Sequence, residues 1–177
     1  VQDKKFDLIY AGAQKNMGPA GTTLVIVKDE ILGKTGRKIP TMLNYNTHIS
    51  KGSMFNTPPV FAIYVSMLTL QWLKDFGGVE AIEKTNQEKA DLLYSEIDRN
   101  PLFEGTANKE DRSNMNVCFL LTDSSKEKMF NKIWQEAGIN GLKGHRSVGG
   151  YRASLYNALP NESVQILVNI MRKLEQN

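Results

Sequence analysis

The sequence predicts an α/β chain in two parts. Short runs of β-branched and apolar residues at 6–10, 22–27 and 116–121 have strand length and end in small or polar breaks. Between and after them, apolar residues recur at three- and four-residue steps over segments long enough for helices. The pair Gly77-Gly78, behind the first long helix, is the natural boundary between two lobes. The 177 residues can form a sizeable core, because area scaling lets about 70% of the open chain's surface be buried.

Residues 6–10 form an apolar run ending in small residues, which suits a buried strand. Residues 11–21 hold three glycines and a proline, so they form a loop. A second strand follows at 22–27 and a brief helical turn at 28–33. Residues 34–57 lack a sustained period and read as mostly irregular; such a stretch inside a domain is usually functional or packed on a partner. Thr57-Pro58-Pro59 then opens a helix, with Thr57 as cap and Pro58 where a missing N–H costs nothing. Its stripe is Phe61, Tyr64, Val65, Leu68, Trp72 and Phe76. The next helix sets Val79, Ile82, Asn86, Ala90, Leu93 and Ile97 on one side and stops at Asn100-Pro101. A strand at 116–121 is followed by a capping box at Ser124–Glu127 and a helix carrying Phe130, Ile133, Trp134 and Ala137, closed by Gly138. Residues 139–142 suit a short strand, 143–150 a glycine-rich loop, and 151–156 a half-exposed strand. A last helix starts near Asn161.

Composition narrows the function. The net charge of +3 is small and evenly spread, and aromatic residues do not interleave with basic ones, so neither nucleic acid nor an anionic membrane is indicated as partner. No apolar run approaches the roughly 20 residues needed to span a bilayer. The first residues, Val1 to Lys5, are charged, lack a methionine and do not resemble a signal peptide, so the chain reads as one that begins mid-protein. The single cysteine, Cys118, sits in an apolar run and reads as a small buried hydrophobe of a reducing compartment. His48 and His145 stand far apart with no cysteine or acidic cluster nearby, so no metal site is expected. Neither a Gly-x-Gly-x-x-Gly nor a Walker loop is present.

Three segments can carry chemistry. Lys15 lies on the small-residue loop between two strands; an amine desolvated there is a better nucleophile toward an aldehyde, whereas a lysine on such a loop is ordinarily a surface group. Arg146 and Arg152, two of only six arginines, fall in one glycine-rich segment. Gly149-Gly150 permits a turn that returns Arg152 toward Arg146, and two guanidinium forks suit a small molecule with an anion at each end. A basic surface turn paired with acids explains them equally well. His145 is a solvated loop histidine or a further donor to a phosphate. Asn56 and Thr57 precede a helix, yet Pro58 and Pro59 remove N–H groups that would bind an anion. Their side chains either supply such a contact or only cap the helix.

Together these motifs resemble the phosphoserine aminotransferase family: Ile9–Asn16 with Gly18–Gly21 behind it, then Gly52–Pro59, then Lys143–Arg146 followed by Gly149–Ser154 and Tyr156–Ala158. The order of three separated motifs makes the match specific. It covers essentially this whole chain and about the C-terminal half of the family's. The resemblance implies a pyridoxal-phosphate (PLP) enzyme of the fold-type-I, class V branch: residues 1–75 as the last part of the large PLP-binding domain, 76–177 as the small C-terminal α+β domain. It implies amino-group exchange between glutamate and 3-phosphohydroxypyruvate in serine biosynthesis, in the cytoplasm; some bacterial members also serve pyridoxine biosynthesis. Lys15 would carry the Schiff base and move the substrate proton, with Gln14 beside the cofactor ring. Asn56 and Thr57 would reach the cofactor phosphate of the neighbouring subunit of a homodimer. His145 and Arg146 would hold the substrate phosphate, and Arg152 the α-carboxylate.

The family's acid for the pyridinium nitrogen and its ring-stacking aromatic lie upstream of the lysine loop, and neither Asp3 nor Asp7 occupies that place. The chain alone is therefore expected to bind PLP poorly and to be inactive, with strand edges left unpaired. Sulfur transfer from cysteine, another class V activity, needs a cysteine on an exposed loop, which Cys118 is not. A non-catalytic anion-binding or dimerisation module of the same fold is the remaining alternative.

Overall fold

The computed structural model describes residues 5–145 and 149–176. The chain divides into two compact units, Val1–Asp75 and Phe76–Asn177.

In the first unit, β1 (Leu8–Gly12) pairs antiparallel with β2 (Thr23–Val27), Leu8 opposite Val27 and Gly12 opposite Thr23. The expected helical turn is a 3₁₀ turn at Asp29–Ile31. The segment expected to be irregular is more ordered than its sequence suggests. It holds a 3₁₀ turn at Thr41–Leu43 and a short helix, α1 (Tyr45–Ile49). Asn44 caps α1 by accepting the Asn46 N–H at 3.1 Å, and the His48 ring nitrogen lies 2.9 Å from the Met42 carbonyl. Five residues are too few to show a helical period, so the cap was the only signal.

Helix α2 (Val60–Asp75) starts later than Thr57 and Pro58 suggested. Pro59 gives its carbonyl to the Ile63 N–H at 3.1 Å and so takes the capping position. A residue before proline is pushed out of the helical region, which excludes both Thr57 and Pro58 from the first turn. The large apolar stripe is not what α2 packs with: Phe61 is 75% exposed, and Tyr64, Leu68 and Trp72 are exposed too. The buried positions of α2 are Ala62 and Ser66. With Ala13 they are the buried positions of the first unit among its described residues.

The second unit is built differently. Helix α3 (Gly78–Arg99) begins behind Gly77, whose φ of 116° suits a residue without a side chain. It buries Ile82, Asn86, Ala90, Leu93 and Ile97 as expected, but also Lys89 and Glu96; Val79, in the first turn, is exposed instead. Strand β3 (Phe103–Gly105) is too short for its alternation to be read from sequence. Strand β4 (Asn116–Leu121) has the expected bounds and lies between β3 and β5 (Tyr151–Ser154), antiparallel to both. Helix α4 (Glu127–Glu136) follows a 3₁₀ turn at Ser124–Lys126. Asp123, not Ser124, is the cap, accepting the Ser125 N–H at 2.9 Å. Residues 139–142 are not a strand: Gly138 and Gly141, with φ of 78° and 71°, break the extended run, and the pairing there is one bridge between Lys143 and Tyr151. Helix α5 (Asn161–Glu175) closes the unit.

The core of this unit joins Leu93 and Ile97 of α3, Phe130 of α4 and Val168 and Met171 of α5 to the inward residues of the sheet. Phe103, Phe119, Phe130 and Tyr151 form an aromatic cluster with centroid separations of 4.9 to 5.7 Å. Burial pushes the Tyr151 hydroxyl up to about 12, with the nearby Glu127 charge adding to it. Glu96 ties α3 to α5: it accepts from Arg99 at 2.7 Å, Arg172 at 2.9 Å and Asn100 at 3.0 Å. Among the described residues no helix is long and apolar enough to cross a membrane.

Candidate functional site

The lysine loop is rigid at its base. β1 runs into it and β2 leaves it, and the Ala13 N–H closes the neck on the Thr22 carbonyl at 2.9 Å. The Ala13 carbonyl then accepts from both Met17 (3.1 Å) and Gly18 (2.8 Å), so buried Ala13 is the hub of a tight turn. Gly18 and Gly21, with φ of 155° and 111°, lay the returning chain on α2. A Cβ at Gly18 would strike Ser66 Oγ, and one at Gly21 would meet Ala62 Cβ at 3.5 Å. That close approach explains why the packed side of α2 carries small residues. Gln14 and Lys15 occupy the exposed crest of the turn. Gln14 folds back over Gly12, where a Cβ would collide with its amide. The enclosed, desolvated amine expected from the sequence is therefore not what the first unit makes of Lys15: the turn holds the lysine firmly but does not cover it.

Asn56 and Thr57 follow a second constrained segment. Gly52 and Ser53 are both left-handed, with φ of 54° and 64°; Ser53 is the one non-glycine residue of positive φ among the described residues. Such a conformation costs about 1–2 kcal/mol. The Ser53 N–H donates to the His48 carbonyl at 2.8 Å, Met54 donates to Lys51 at 3.0 Å, and His48 meets Phe55 edge-on at 6.3 Å. Both Asn56 and Thr57 emerge exposed.

In the second unit, Gly149 and Gly150 make the turn their sequence suggested, with φ of 76° and 63°. The Gly144 N–H closes on the Gly150 carbonyl and the Gly149 N–H on the His145 carbonyl, each at 2.8 Å. A side chain at Gly150 would press on the Phe119 carbonyl at 2.8 Å, and one at Gly144 on the Gly149 carbonyl. His145 is exposed at the mouth of this loop; Arg146 lies outside the described residues. Arg152 is exposed on β5 opposite Cys118, while its neighbours Tyr151 and Ala153 point into the core. Its N–H donates to the Leu142 carbonyl at 2.7 Å, and it lines a cleft of about 460 Å³ with Leu142, Ser154 and Leu155. Cys118 is half-buried rather than buried, because Val117 and Phe119 take the core-facing positions of β4. Asp7 is engaged by Lys28 at 2.9 Å.

Against known proteins, the model of the class-V aminotransferase family matches residues 1–167. The chain belongs to the class-V aminotransferases. A phosphoserine aminotransferase of Flavobacterium psychrophilum is 73% identical to it over 171 residues, 97% of this chain and 48% of that protein. One of Bacteroides thetaiotaomicron is 59% identical, over 99% of this chain and 50% of its own length. Among solved structures, a phosphoserine aminotransferase from Bacillus circulans subsp. alkalophilus superposes with a TM-score of 0.93 at 43% identity, covering 99% of this chain and 49% of that one. A PLP-bound phosphoserine aminotransferase from Trichomonas vaginalis gives 0.90 at 37% identity, covering 97% of this chain and 49% of its own. This class-V chain thus has the α/β fold of those fold-type-I enzymes, and it spans about half the length of the curated relatives it matches.

The donor set fits PLP in part. An exposed amine on a rigid turn suits the cofactor aldehyde, and the side chains of Asn56 and Thr57 suit a phosphate. Ser66 Oγ and Thr22 Oγ1, both buried, have no hydrogen-bond partner among the described residues. The acid that the pyridinium nitrogen requires is not supplied by Asp7, which the Lys28 pair occupies.

Proposed function

We propose that this chain provides the lysine-bearing and anion-gripping part of a PLP-dependent transaminase. The enzyme exchanges an amino group between glutamate and 3-phosphohydroxypyruvate, giving phosphoserine and 2-oxoglutarate. The observation that carries the reading is the lysine turn: Lys15 stands at the crest of a loop fixed at both ends, on a chain similar along its whole length to phosphoserine aminotransferases. PLP supplies the electron sink of the reaction. Lys15 holds the cofactor covalently and carries the proton to and from the substrate's α-carbon, while Gln14 flanks the ring. His145 and Arg146 grip the substrate phosphate and Arg152 its α-carboxylate; a second arginine in place of lysine gives the bidentate geometry a carboxylate favours. Asn56 and Thr57 bind the cofactor phosphate across a homodimer interface, and the enzyme works in the cytoplasm. The phosphorylated hydroxythreonine precursor of pyridoxine is a further substrate of the same anion grips. The second strand's exposed faces and the sparse core of the first unit support inactivity of the chain by itself.

The test uses a protein of the relatives' full length that carries this chain, with 2-oxoglutarate formation from glutamate and phosphohydroxypyruvate as readout. Lys15→Ala should lose at least about 10²–10⁴-fold in turnover, the range for removing a proton-transferring group. Undiminished turnover in Lys15→Ala would refute the assignment.

A further inference from the structure

Lys89, in the middle of α3, is fully buried, yet its ammonium faces no carboxylate within ion-pair distance among the described residues. Its Nζ donates instead to three main-chain carbonyls, those of Leu155 at 3.1 Å, Tyr156 at 2.9 Å and Leu159 at 3.1 Å. All three ammonium protons are thereby used. One turn earlier on the same face of α3, buried Asn86 donates to the Asn157 side chain at 2.8 Å. Two points of α3 therefore clamp residues 155–159, the turn that leaves β5.

Burying an ammonium is costly, and an apolar residue would fill the space as well, so its retention calls for a reason beyond packing. Three carbonyls converging in one turn repel one another unless a cation gathers them. That turn begins three residues after Arg152. Strand β5 is only four residues long, and a slip of one residue would send Arg152 into the core and a core residue outward. Leu155, bound upstream by its N–H to the Met115 carbonyl at 2.8 Å and downstream through Lys89, marks where the strand must end.

We propose that Lys89 is a positioning residue for substrate binding: by gathering the carbonyls of the turn after β5 it fixes the register and direction from which Arg152 meets the substrate carboxylate. The proposal rests on the reading of Arg152 as the carboxylate grip. Its test is made in the PLP-loaded protein of full family length carrying this chain, with Lys89→Met (unbranched, one atom shorter, no donors), Lys89→Gln and Arg152→Ala. Affinities for O-phosphoserine and for inorganic phosphate are measured beside hydrogen exchange of the Arg152 and Leu155 amides. Lys89→Met should weaken phosphoserine about 10- to 100-fold, as for a displaced binding group. It should leave phosphate affinity unchanged and speed both amides, with Lys89→Gln intermediate. Unchanged phosphoserine affinity, or equal losses for phosphoserine and phosphate, would overturn the proposal. If Lys89→Met does not fold, the same outcomes are read from Lys89→Gln. An Arg152→Ala protein that binds phosphoserine normally removes the carboxylate reading itself; a loss there with none in the Lys89 variants removes only the positioning role.

Discussion

Single residues in this chain show how far local chemistry is set by neighbours that are distant in sequence. Glu96 is nearly fully buried, and burial alone would raise its pKa; the hydrogen bonds from Arg99, Arg172 and Asn100 outweigh that and hold it below the usual glutamate value. A carboxyl whose pKa is lower folded than unfolded stabilises the fold above its unfolded value and loses that contribution as pH falls through the folded one. The melting temperature of the chain should thus drop progressively below about pH 4.5, the ordinary glutamate value, and Glu96→Gln should flatten that acid limb while lowering stability at neutral pH. The neutral-pH loss should be about 3 kcal/mol, the low end for a broken buried pair because both guanidinium groups are half exposed. Asp98, held low by its hydrogen bonds to Arg112, titrates in the same window and will leave a residual slope. Ser53 gives an opposite expectation: Ser53→Gly should raise stability by up to about 1 kcal/mol in urea unfolding, because its left-handed backbone suits glycine.

Among the elements, α2 and the lysine loop show what sequence periodicity conveys and what it leaves out. The period of α2 placed a helix correctly, but its large stripe suggested the wrong packing side; contact with the loop is made by Ala62 and Ser66, where Gly18 and Gly21 need room. Hydropathy patterns register size and polarity, not the close approach of two backbones. Gly18→Ala should accordingly cost about 1–3 kcal/mol, while Gly36→Ala, whose added Cβ meets nothing within 4 Å among the described residues, should change stability by less than about 1 kcal/mol. Denaturant midpoints of the two variants would separate a packed loop from a loose one, and equal midpoints would contradict the loop–helix contact. Elsewhere β4 and α5 were legible because each carries an apolar pattern longer than one turn or two pleats. The helix α1 and strand β3 were not, being too short to show a period. The burial of Lys89 and Glu96 is not legible in the sequence because a charged residue on a helix is ordinarily solvated, and only their partners, some 60 to 80 residues away in sequence, reveal it. Of the candidate site, the glycine turn at 149–150 and the lysine loop were readable from glycine placement; the exposure of Lys15 was not, since it depends on what surrounds the loop.

For the molecule as a whole, the contrast between the units governs stability. The second unit joins α3, α4, α5 and three strands in one core, whereas the first presents apolar side chains on both faces of β2 and along α2. Native-state hydrogen exchange should find the slowest amides in α3, β4 and α5, and amides of β1 and β2 exchanging through much smaller openings. Leu93→Ala should cost about 2–5 kcal/mol, because a cavity opens in a packed core, while Phe61→Ala should be nearly neutral in this chain because its ring is exposed. Comparable losses in the two variants would show that the first unit has a core after all. The fully enclosed amine of Lys89 carries a separate consequence. An acylating reagent added to the folded chain should modify Lys15 within its ordinary reaction time and spare Lys89, so mass spectrometry of that one peptide becomes a clock for unfolding. Label appearing there counts the molecules in which α3 has let go of its turn.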